Sequence, residues 1–278
     1  MHSVVADFGR WMVALSAVVL HRYWKTAAMA ATSFTGDSLL FLVDYLLRLI
    51  RVAVLLSIWR IVLAGRGPVS GMTLATVLTY TLIAEVFAEQ LTPRTRLEEA
   101  LWEGTIATRL LQPMNVVGQF AAEMWGQWAV NLALFSLPLL LLCPAFGVSP
   151  RPAGWGAAAL FAVSLLLAMS VGLALEFIFG ALVVAMQESV WVVAQVRRAV
   201  TLLLSGAVLP LALLPWGLGN VFQWLPFASL ASTPLKLYTG TGNPLVLLPL
   251  QLAWSVLLWP LAGWMWRRYR ERLAGHGG

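Results

Sequence analysis

The chain has 278 residues, 60% of them hydrophobic and only 11% charged, and carries a formal net charge of +6. Soluble domains hold about 25% charged residues, so a mean hydropathy of +0.82 excludes a soluble core and points to an integral membrane protein. The basic residues sit at the ends of apolar runs, where orientation signals belong, and not on one soluble face, so the pI near 10.1 does not indicate nucleic acid.

Residues 8–32 hold Trp, Val and Ala with Arg10, Arg22 and Lys25 among them, and read as an interfacial helix along the inner leaflet. Trp11 to Leu20 resembles a signal-peptide core, but His21, Arg22, Trp24 and Lys25 stand where a small-residue cleavage site should be, so the segment is read as retained. A span needs about 20 apolar residues, and six candidates follow in order. They run over roughly Leu39 to Leu63, Met72 to Leu91, Val117 to Phe146, Gly154 to Met186, Trp191 to Leu214, and Leu245 to Trp266.

With both termini cytoplasmic, the inner face collects Arg10, Arg22, Lys25, Arg94, Arg96, Arg109, Arg197, Arg198, Arg267, Arg268, Arg270 and Arg272. The outer loops hold only Arg66, Arg151 and Lys236, and that asymmetry fixes the orientation. The expected fold is an all-α integral membrane protein forming one transmembrane domain over 1–278.

Asp37, Asp44, Arg48 and Arg51 fall within about 60° of one another on one face of the first span. Charges in a span must find partners, and Glu85 and Glu89, spaced i, i+4 at a similar depth in the second span, are the partners expected for Arg48 and Arg51. Glu176, deep in the fourth span, reads either as a buried hydrogen-bonded group or as a functional carboxylate.

Between the second and third spans, Pro93 starts a short amphipathic helix over 93–103. Glu98, Glu99 and Glu103 give it charge, and Leu97, Leu101 and Trp102 give it an apolar face. It is either a solvated connector or a docking helix for a cytoplasmic partner. Most of the fourteen Trp residues lie near the expected interfaces: Trp59, Trp155, Trp216 and Trp224 outside, Trp102, Trp125, Trp128, Trp191, Trp264 and Trp266 inside. Aromatic belts account for that placement without a ligand.

Residues 204–240 are as apolar as a span yet contain Pro210, Pro215, Pro226 and Pro234 with Gly206, Gly217, Gly219 and Gly240. One uninterrupted helix cannot run through them, and broken apolar backbone survives in a membrane only beside protein or a watery cavity. Leu204 to about Leu214 is expected to finish the fifth span, and 215–240 to form an outer re-entrant segment. Catalysis finds little support: His2, His21 and His276 lie near the termini, the single Cys143 has no thiol partner, and metal-protease, triad and phosphate-loop motifs are missing. No metal site is expected.

Together these residues resemble the permease subunit of type-2 ATP-binding-cassette exporters, in a bacterial subgroup with little functional assignment. The likeness rests on Gly104, Leu110, Leu111, Pro113 and Asn115 after the cytoplasmic helix. It continues with Ser205-Gly206, Pro210, Leu214-Pro215, Leu225-Pro226-Phe227, Pro234, Tyr238 and Gly240 before the last span. The resemblance implies a full transporter of two permeases, identical or related, and separate ATPase subunits, in the bacterial cytoplasmic membrane. No cofactor is implied on this chain, because ATP and Mg would bind the partner ATPase.

The resemblance further implies that Arg94, Arg96, Leu97, Glu98, Glu99, Leu101, Trp102 and Glu103 couple to the ATPase. Thr76, Thr79, Tyr80, Gln195, Thr201 and Ser205 become pathway candidates, with packing and capping as the competing role for each. Pro215, Leu225, Pro226 and Phe227 become an outer gate. From another class, a six-span secondary transporter would use Asp44, Arg48, Arg51, Glu85, Glu89 or Glu176 as a proton relay. A membrane-embedded lipid-modifying enzyme is disfavoured by the lack of a catalytic set.

Overall fold

A computed structural model describes residues 21–31, 38–186 and 189–275. Apart from a bridge between Val69 and Met72, the described secondary structure is helical. Much of the expected interfacial helix, and Asp37, lie outside the described residues. The helical stretch 21–31 (α1) packs against α7 (Val116–Asn131) so closely that only glycine fits. A methyl group at Gly118 would lie 2.7 Å from the Tyr23 ring, and one at Gly126 would overlap the Ala27 carbonyl.

The first span candidate is α2 (Ser38–Val62), which buries Val52 and Leu56 while Leu46, Ile50, Val54 and Ile61 stay exposed. The second breaks in two, α3 (Leu74–Val86) and α4 (Ala88–Leu91), at a non-helical Phe87. Thr73 caps α3 by accepting a bond from the Thr76 amide. Next come two short helices, α5 (Leu97–Trp102) and α6 (Ile106–Leu110), then α7. A π-helical turn over Leu132–Ser136 joins α7 to α8 (Leu137–Leu142). That wider turn lets the helix pass Pro138, whose missing donor interrupts an α-helical ladder.

Three helices are long and apolar enough to cross a membrane among the described residues: Val116–Phe146, α9 (Trp155–Met186), and Pro244–Tyr269 within α13 (Pro244–Gly275). Of the other candidates, α2 carries four charges, α3 has 13 residues, and α10 (Val190–Leu204) has 15. Ser164 faces Gln251 and Ser170 faces Ser255, at 2.8 and 2.7 Å, so α9 and α13 run parallel. Trp259 also donates to Ser170 at 2.9 Å. Hydrogen bonds between apolar helices give such a seam its register.

The expectation that the fifth span reaches Leu214 is corrected. α10 stops at Leu204, because Gly206 adopts φ +77° and Pro210 has no donor to continue a ladder. Fifteen residues rise about 22 Å, less than the ~30 Å hydrocarbon core. The chain then makes 3-10 turns over Leu211–Leu213 and Pro215–Gly217, and a short α11 (Leu218–Phe222). It descends through a 3-10 turn at Pro226–Ser229 and climbs back along α12 (Ser232–Thr239).

This dip is secured at three heights. Gln251, fully buried, donates to the Ser229 carbonyl at 2.7 Å; the Ser232 amide donates to the Ser205 carbonyl at 2.8 Å; and Tyr238 donates to the Pro150 carbonyl. One apolar cluster surrounds Tyr80, Phe161, Leu235 and Tyr238, and another, toward the connector, gathers Leu97, Phe120, Met124, Leu173 and Phe177. Trp128, expected in an interfacial belt, is 5% exposed and belongs to the second cluster, whereas Trp155 and Trp216 project outward.

Candidate functional site

Pro93 ends α4 and lies against α9, where a methyl group on Gly172 would come within 2.7 Å of its ring. The chain turns there and forms α5, shorter than the expected 93–103 helix. Leu97 and Ala100 face inward at i, i+3 spacing, with Leu97 seated over Gly180. Leu101 is partly buried, but Trp102 is not part of the apolar seam. It is 61% exposed and meets Trp191 of α10 edge to face, ring centroids 6.2 Å apart. Glu99 and Glu103 remain exposed.

Glu176 lies 21 residues beyond the start of α9, about 31 Å along it, which is the depth of this turn and not the middle of the span. Its Oε2 accepts hydrogen bonds from the Thr95 amide, at 3.0 Å, and from the Thr95 hydroxyl. Its Oε1 pairs with Arg197 Nη1 at 2.5 Å, and Arg197 Nε donates to Glu98 Oε1 at 2.8 Å. Glu176 and Arg197 are 3% and 8% exposed. Burial of an unpaired charge costs several kcal/mol, so the ion pair and the Thr95 bonds are what let both remain inside, Glu176 Oε1 having the Arg197 charge beside it but no aligned hydrogen bond. α5, α9 and α10 thereby share one ionic junction.

Arg197 has no pathway or coupling role in the sequence reading, which placed it among cytoplasmic orientation charges. The available signal was its position, seven residues into the apolar α10, where an arginine needs a partner.

A second network joins α2 to α3 and α4. Arg48 meets Glu89 at 2.9 Å and Asp44 at 3.4 Å, and stacks over the Phe135 ring at 4.5 Å. Arg51 meets Glu85 at 3.0 Å. Both pairings are those expected from the i, i+4 spacing of the carboxylates. These groups line a cavity of about 350 Å³.

A family model described as ABC-2 family transporter protein matches residues 49–277. The chain belongs to this family. No curated protein and no solved structure matches it. An ABC-2 family chain is a membrane component of transport, and the match takes in both ionic networks except Asp44 and Arg48.

Most of the other candidates in this ABC-2 chain are committed to internal bonds. Tyr80 is buried and donates to the Gly206 carbonyl at 2.7 Å; Thr79 donates to the Ser149 carbonyl at 3.1 Å; and Thr76 bonds Thr73 at 2.9 Å. Ser205 is buried and accepts from the Ala207 amide at 3.3 Å. Gln195 is exposed on α10, and Thr201 lines a small cavity beside Pro93. The gate candidates separate. Pro215 opens an exposed turn in which Trp216 holds φ +56°, whereas Phe227 packs against the cluster of Val171, Ala174, Leu175 and Leu258. The Leu225-Pro226-Phe227 turn therefore sits close in depth to Glu176.

Proposed function

We propose that this ABC-2 family chain is the permease subunit of an ATP-driven exporter, working with a second permease and separate ATPase subunits that bind ATP and Mg. The observation that carries this reading is the ionic junction among Glu98, Arg197 and Glu176. An exposed helix between two spans is tied by buried charge to the middle of α10, so a push on α5 moves α10. Packed elements of this kind switch between arrangements and do not deform smoothly.

In this reading α2, α3–α4, α7–α8, α9, α10 with the dip that follows it, and α13 are the six spans. Both termini face the cytoplasm of a bacterial inner membrane. The parallel course of α9 and α13 supports an intervening return crossing. Residues 93–103 couple to the ATPase through the exposed Arg96, Glu99, Trp102 and Glu103. Leu97 and Leu101 seat the helix, Glu98 hands its motion to Arg197, and Arg94 faces the α10 cleft. α3 and α10 flank the pathway, with Gln195 and Thr201 its accessible polar groups and Thr76, Thr79, Tyr80 and Ser205 holding its walls. Of the expected outer gate only the turn at Pro215 stands at the outer end; the dip carries Leu225-Pro226-Phe227 inward to the depth of Glu176, where it blocks the route near the connector.

Copurification tests it. Solubilised gently after coexpression with its genomic neighbours, the chain should retain an ATPase subunit. Glu99→Lys with Glu103→Lys should reduce that retention at least about tenfold, the order expected from reversing charges at an interface. A chain that never retains an ATPase sinks the exporter reading. The secondary-transporter reading requires Glu176→Gln to abolish transport in ATPase-free vesicles.

A further inference from the structure

Three cavities adjoin at Arg94: about 440 Å³ on the α5 side, about 50 Å³ between the α4–α5 turn and α10, and about 350 Å³ on the α2 side. Arg94 lines all three, Arg198 lines the first two, and Leu202 the last two. The middle cavity is walled by Arg94, Arg197 and Arg198 with no carboxylate. Arg197 is held by Glu98 and Glu176, and Glu98 reaches Arg198 only at 3.9 Å. Among the described residues Arg94 has no ion pair within 4.0 Å. In the middle cavity, setting Glu98 and Glu176 against Arg197 and Arg198 leaves the Arg94 guanidinium over; the flanking cavities add Glu99 and Glu103 beside Arg96, and Asp44, Glu85 and Glu89 beside Arg48 and Arg51, so the surplus is confined to the middle one.

Above this basic mouth the lining turns apolar, with Leu175, Leu202 and Leu230, and α10 continues outward with an exposed Leu203. Arg94 stands 20 residues beyond the start of α3, about 30 Å along the chain of helices, one hydrocarbon thickness from its outer end. That is the depth of inner-leaflet headgroups in the orientation proposed above, on which this step rests. Basic pockets between membrane helices on the cytoplasmic side take anionic headgroups, and a guanidinium fork fits phosphate geometry.

We infer that this cleft seats the phosphate headgroup of an anionic inner-leaflet lipid between Arg94 and Arg198, with its acyl chains along Leu202 and Leu203. The lipid bridges the α4–α5 turn to α10 on the side opposite the Glu98–Arg197 contact, and so adds a second tie between connector and span.

Native mass spectrometry on the full chain with its ATPase partner tests this, with phosphatidylglycerol and phosphatidylcholine as probes. Phosphatidylglycerol should be retained about fivefold better per arginine. Arg94→Gln with Arg198→Gln should erase the preference, the Lys pair should keep most of it, and Arg66→Gln with Arg151→Gln on the outer side should leave it intact. Equal retention of the two lipids, or a preference that survives Arg94→Gln/Arg198→Gln, overturns the site. Full displacement by millimolar inorganic phosphate also overturns the lipid assignment and reassigns the cleft to a soluble anion. Should the Gln pair not fold, the wild-type preference must still vanish between about 0.05 and 0.5 M salt, and its persistence refutes the proposal. Loss of the ATPase from the same preparation speaks against the exporter reading and leaves the lipid preference standing.

Discussion

The two ionic networks use similar residues in different surroundings. Around Arg48, the carboxylates Asp44 and Glu89 are 56% and 44% exposed at the side chain, so water shares their charge. Around Arg197, the side chains of Glu98, Arg197 and Glu176 are 22%, 10% and 1% exposed, and protein alone must satisfy them. The second is expected to hold elements in place by the penalty of leaving a partner stranded, and in the first only Glu85, 6% exposed beneath Arg51, shares that constraint.

Substitutions can break or sharpen that contrast. Arg197→Ala should cost about 3–5 kcal/mol, seen as a large fall in thermal unfolding temperature in detergent, because it strands Glu176. The double change Glu176→Leu/Arg197→Leu should recover most of that loss, since apolar replacement of a buried pair is close to neutral, while still uncoupling α5 from α10. Failure of the double variant to recover would mean that packing, not charge, holds the junction. Glu89→Ala should cost about 0.5 kcal/mol, because Arg48 keeps Asp44 and the Phe135 ring. Arg96→Ala, at an exposed pair 3.5 Å from Glu99, should leave unfolding unchanged within about 0.3 kcal/mol. A larger effect than that of Glu89→Ala would reverse the ordering of surface and membrane-depth pairs.

Much of this arrangement was legible in the sequence where the signal is local. The i, i+4 carboxylates Glu85 and Glu89 announced a face, and a matching arginine face on α2 made the pairing readable. The proline-broken run announced irregular backbone, and Pro93 announced the connector. What stayed hidden was set by contacts distant along the chain. Arg197 reads the same at a membrane edge or inside protein, and Glu98 stands 99 positions away. Glu176 reads as deep in the fourth span, but the 32 residues of α9 exceed one membrane thickness and carry it to the level of the turn. Trp102 fits an apolar pattern by type, but the six-residue helix has room to bury only Leu97 and Ala100 fully.

The early end of α10 has a mechanical consequence. The carbonyls just past its end are held, since Ser205 and Gly206 accept from Ser232 and Tyr80, while Arg197 anchors its middle to the connector. Eight residues, about 12 Å, separate the two anchorages, so this stretch acts as a short strut pinned at both ends. A strut of that length cannot slide at its foot without straining the pins at its head. Movement delivered at Glu98 is therefore expected to arrive at α3 and α12 as displacement before flexing can absorb it.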